Sequence, residues 1–192
     1  MEGRAALARG AEEAIPSGAA VIEVHVAELR QLFNAIDPSP FRDRDLDPKA
    51  EAFIVEWSRE MPPHAPLALR IHVDHPTGRD DHVAIVREAV HGYFSAQAAS
   101  SRRRLRRLLH VGRISLVIGL TAVAACIGLA QVIESRFDDF GSILNESLLI
   151  GGWVAMWRPL EIFLYDWWPI RGEARLYDRL AAMPVDVRYL KA

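Results

Sequence analysis

At 192 residues the chain has room for one or two domains, and its mean hydropathy (+0.05) and 25% charged residues resemble those of an ordinary soluble protein. The averages conceal strong segregation: residues 1–100 hold 10 Lys/Arg against 16 Asp/Glu, whereas residues 101–113 hold 6 Arg and no acid. A net charge of −2 with its basic excess in one short block argues against a nucleic-acid-binding surface, and a lone Cys126 excludes an intrachain disulfide.

Residues 1–19 are small and polar, without the continuous apolar core of a signal peptide, and read as a flexible tail. Residues 20–100 read as a cytoplasmic α/β domain. In "AVIEVHV" (20–26) Ile22, Val24 and Val26 alternate with Glu23 and His25, which predicts a strand with one wet face. Leu29, Leu32 and Phe33 then switch to helical spacing, and "DPSPF" (37–41) is a proline-rich turn. Asp47 as N-cap with Pro48 at the first helical position starts a helix that ends near Met61, before Pro62–Pro63. "LALRIHVD" (67–74) alternates again, with Arg70 and His72 outward. A long helix begins around Asp80, with Ile85, Ala89, Val90 and Tyr93 on its core face, and is expected to run into the apolar stretch beyond. Two strands alone are marginal in water, so the expected two-strand sheet needs completing. Val185, Val187 and Tyr189 offer an internal third strand, and a second copy of the chain offers another.

Ile114–Ile133 is a run of twenty uncharged residues, about 30 Å of helix, which matches the hydrocarbon thickness of a bilayer. The basic juxtamembrane helix at 101–113 precedes it and acids follow it. The positive flank therefore predicts a cytoplasmic N-terminal side and a periplasmic loop at 134–142. A second span over 143–168, kinked at Pro159, returns the chain. Arg171, Arg175, Arg179, Arg188 and Lys191 put the C-terminal segment 169–192 on the cytoplasmic side as well. The expected fold is thus an α+β membrane protein: a small cytoplasmic α/β domain followed by an antiparallel two-helix transmembrane hairpin. Ser115/Gly119, Ala124/Gly128 and Ala122/Cys126 are small-residue pairs that allow close helix approach, as are Gly151 and Gly152.

In "GGWVAMWRPLEIFLYDWWPI" (151–170) two readings stand side by side. In the first, Arg158 reaches the headgroups, Tyr165, Trp167 and Trp168 form an interfacial aromatic belt, and Pro169 stops the helix. In the second, Arg158, Glu161 and Tyr165, at i, i+3 and i+7, share one face beside the carbonyl that Pro159 frees. They form a polar site for a neighbouring helix, a headgroup or an ion. Arg102, Arg103, Arg104, Arg106 and Arg107, immediately before a span, fit anionic lipid at about 1 kcal/mol per basic residue. His72, Asp74, His75, Asp80, Asp81 and His82 lie close in sequence. Their spacing matches no compact zinc pattern, so no metal site is predicted, with His72, Asp74, His75 and His82 the weak candidates. There is no nucleophile elbow, Walker A loop, dinucleotide fingerprint or C-x-x-C pair, hence no predicted cofactor or enzyme activity.

"LFNAIDPSPF", "DLDPKAEAFIVEW" and "GGWVAMWRPLEIFLYDWWPI" resemble an uncharacterised group of small bacterial inner-membrane proteins with two spans. The resemblance extends from about Val21 and implies a bacterial source and this architecture, but no activity. The expected role is a membrane-anchored interaction module that assembles with itself or with a membrane-protein partner. The alternatives are an oligomeric channel or transporter accessory using Arg158 and Glu161, and a metal-dependent membrane-bound hydrolase using the 72–82 cluster.

Overall fold

The computed structural model of the chain describes residues 15–35, 37, 44–74, 81–134 and 139–189, with the backbone alone at 81, 82, 134 and 139–145. Most of the expected tail and of the proline-rich turn, His75, Asp80, the side chains of Asp81 and His82, and most of the 134–142 loop lie outside the described residues. The structure is mixed α+β. Its elements are β1 (Ala20–Val26), a 3₁₀ turn (Leu29–Leu32), α1 (Pro48–Glu60), β2 (Leu67–Val73), α2 (Asp81–Glu134), α3 (Asp139–Glu161), a π-helical turn (Ile162–Asp166), α4 (Trp167–Ala181) and β3 (Val185–Tyr189). The chain divides into two compact units, Met1–Ala99 with Ala174–Ala192, and Ser100–Glu173.

The first unit holds a three-stranded parallel sheet in the order β1-β2-β3. Of the two ways of completing the two-strand sheet, the internal one is found: Val185–Tyr189 pairs with β2 as the third strand. The alternation read from sequence sets its two faces. Ile22, Val24, Leu69, Ile71, Val73 and Val185 are buried together with Ile54 of α1, Val86, Val90 and Phe94 of α2, and Leu180 of α4. Asp47 caps α1 by accepting from the Lys49 amide at 2.9 Å, with Pro48 at a position where a missing N–H costs nothing. On α2 the Tyr93 hydroxyl donates to Glu51 at 2.6 Å and accepts from Gln97 at 3.0 Å. Burial first, then the bond to the Glu51 carboxylate, pushes the Tyr93 phenol above its ordinary range.

The second unit contains the apolar half of α2, with α3 and the π turn. Two helical stretches, Val83–Ile133 and Glu146–Ala181, are long and apolar enough to cross a membrane. Only 11% and 17% of their most apolar windows is buried, so these apolar faces point outward instead of into a core. The helices meet at glycines. A Cβ on Gly112 would lie 2.8 Å from Ile162, one on Gly119 3.1 Å from the Ala155 carbonyl oxygen, and one on Gly152 3.5 Å from Val123. Small residues at these three positions let the backbones approach.

Candidate functional site

The site is built from the basic middle of α2, the end of α3 and the turn after it. Pro159 has no N–H, so it cannot donate to the Ala155 carbonyl. Three residues past Pro159 the chain widens into the π turn Ile162–Asp166, and then tightens again into α4. Pro169 does not stop the helix as the sequence suggests. It is the third residue of α4, within the continuous helical stretch Glu146–Ala181, and helix continues to Ala181.

The π turn re-sorts the predicted polar face. The Arg158 guanidinium donates to Glu161 at 2.8 Å, as i,i+3 spacing demands, and reaches Asp166 at 3.5 Å. Asp166 is a partner the sequence reading did not name, because eight residues of regular α-helix rise about 12 Å. Tyr165 takes no part in this cluster. It instead lines a groove of about 540 Å³ with Arg104, Arg107, Leu108, Val111, Asp166, Pro169 and Ile170. Of the five arginines expected at anionic lipid, the structure brings Arg104 and Arg107 to the groove. Their i,i+3 spacing puts both on one helix face, whereas Arg102, Arg103 and Arg106 do not line it. Leu108 and Val111 continue that face into the apolar segment, so the groove is lined by two arginines and one carboxylate, Asp166, together with apolar side chains. Nearby, Arg171 stands 5.7 Å over the Trp167 ring, and the Trp167 indole donates to the Phe163 carbonyl at 2.9 Å.

Of the weak metal candidates, His72 and Asp74 have described side chains. His75 and the His82 side chain lie outside the described residues, and Asp74 ends the strand segment without a described ligand partner. His72 turns to β1 instead. The register sets His25 opposite His72 and Glu23 opposite Arg70. Arg70 donates to Glu23 at 3.2 Å and to Asp186 at 3.1 Å, and Arg188 also donates to Asp186 at 3.0 Å. Asp186 is only 5% exposed, so two guanidinium groups balance a buried carboxylate. The sequence allows His25 and His72 as cross-strand neighbours on the wet face, each five residues after its strand begins, and the register pairs them.

Comparison of the chain with protein-family models, with curated proteins and with solved structures finds no match.

Proposed function

We propose that the protein is a membrane-anchored interaction module of the bacterial inner membrane. In this reading α2 and α3 form an antiparallel transmembrane hairpin, both termini are cytoplasmic, and the α/β unit meets its partner, a second copy or another membrane protein, at the cytoplasmic leaflet. The observation that carries it is the groove that Arg104 and Arg107 line with Tyr165, Asp166 and the apolar Leu108, Val111 and Ile170, where two cations outnumber one carboxylate. Guanidinium forks match a phosphate bidentately, and the apolar side chains suit an acyl chain, so an anionic lipid headgroup is its natural occupant. The alternative of an oligomeric channel or transporter accessory gains nothing from Arg158 and Glu161, whose charges are engaged with one another.

The test uses the full chain in nanodiscs of phosphatidylcholine alone or mixed with phosphatidylglycerol. Native mass spectrometry is expected to find phosphatidylglycerol retained by the wild type. Arg104→Gln/Arg107→Gln should weaken that retention by about 30-fold, the equivalent of about 1 kcal/mol for each arginine. Equal retention by the variant removes the groove from the reading. Crosslinking in native membranes that yields only monomer and captures no partner overturns the interaction role.

A further inference from the structure

The polar face of the sheet gathers donors from two strands. Glu23 and His25 belong to β1 and His72 to β2, and one ligand atom from each lies within 4.8 Å of the other two. Among the described residues no other three His, Cys, Asp or Glu side chains converge in this way. The two imidazole rings stack, with centroids 4.4 Å apart and planes inclined by 9°, so one ring has to rotate about its Cβ–Cγ bond for nitrogens of both to aim at a single ion. Nε2 of His72 is buried and has no hydrogen-bond partner. Such an atom in a native fold calls for a physical reason.

Distances supply one. Nε2 of His72 and Oε2 of Glu23 are 3.8 Å apart, too far for a hydrogen bond. Zinc binds imidazole nitrogen and carboxylate oxygen at about 2.0–2.2 Å, so two of its ligand atoms stand about 3.4 Å apart at a tetrahedral angle. The observed gap is about 0.4 Å wider, a difference that a small side-chain rotation closes. The outer contacts also fit. Arg70 holds Glu23 by its other oxygen, Oε1, and Asp186 in turn holds Arg70, which orients the carboxylate and leaves Oε2 facing the histidines. The Arg70 charge lowers the affinity for a cation without occupying the ligand atom. Two imidazoles and one carboxylate suit zinc, cobalt, nickel or copper, whereas calcium and magnesium take oxygen donors.

We propose that Glu23, His25 and His72 form a binding site for a divalent transition-metal ion of the zinc class, which bridges β1 and β2 and keeps its remaining position open to water. This inference does not depend on the lipid groove.

The test uses the full chain in detergent micelles, purified through a histidine-free tag, stripped with chelator and titrated with Zn²⁺ alone. One ion per chain is expected, together with a rise in the melting temperature of the wild type. His25→Gln should weaken binding at least about tenfold, His72→Ala should do the same, and Glu23→Gln should reduce it less. His64→Ala should leave it unchanged. Because His72 stands in the central strand, His25→Gln on the edge strand is the variant least exposed to a folding defect, and far-UV circular dichroism checks both. A folded wild type with no saturable Zn²⁺ binding overturns the proposal. So does binding that survives His25→Gln, or that is lost only when His75 and His82 are replaced.

Discussion

The helix α2 runs through both units, and its two halves obey opposite rules. In residues 83–100 the apolar side chains recur at helical spacing and turn inward, with Val86, Val90 and Phe94 fully buried. In residues 114–133 apolar side chains cover every face, and Val117, Ile118, Leu120 and Leu129 are exposed. The ion pairs invert in the same way: Asp186 of the first unit is buried beneath two arginines, whereas the Arg158–Glu161 pair of the second is open. One chain thus uses apolar surface as core in one place and as an outer coat in another, which makes sense if each unit has its own solvent.

That contrast can be sharpened first by a covalent test. A Cβ on Gly152 would lie 3.7 Å from the Cβ of Cys126, within the range of about 3.5–4.5 Å that disulfides need, whereas one on Gly151 meets nothing within 4 Å among the described residues. Oxidation of Gly152→Cys by copper phenanthroline should join the new thiol to Cys126 nearly completely, with the loss of two hydrogens by intact mass. Gly151→Cys should stay reduced. Crosslinking of both variants alike would break the contact between α2 and α3.

A smaller effect, still large in stability, should come from the core. Phe94→Ala is expected to cost about 3–5 kcal/mol in denaturant unfolding of the first unit, against at most about 0.5 kcal/mol for Ile118→Ala, which is 63% exposed. Equal costs would mean that the apolar half of α2 is itself a core. Smallest is the contrast in charges. Asp186→Ala strips Arg70 of its buried partner while Glu23 still holds it, for about 2 kcal/mol. Arg158→Gln, at an exposed pair, should change stability by less than about 1 kcal/mol.

Local signals were legible. The alternation of 20–26 and 67–73 marked both strands, Asp47–Pro48 marked the start of α1, and the absence of proline after Asp80 marked the unbroken helix α2. Long-range facts were not. Nothing in Val185–Tyr189 says that it pairs with β2 in parallel, since alternation fixes faces and not neighbours. The π turn was invisible because Pro159 reports a lost hydrogen bond but not how the backbone recovers, and so Asp166 and not Tyr165 joins Arg158 and Glu161. The groove was half legible: the arginine block named its charges, but only the helix face chose Arg104 and Arg107.

The rows of charge across the sheet have a bearing on how the sheet finds its alignment. The apolar pattern forbids a slip by one residue, which would turn every side chain to the wrong face, but it is blind to a slip by two. The charges are not. If β3 moved by two residues, Asp186 would face Ala68 or His72 instead of Arg70, and a buried carboxylate would lose a partner. A like shift of β1 would take Glu23 from the same arginine. Arg70, in the middle strand between two acids, therefore acts as a registration key that lets the three strands settle at a single offset.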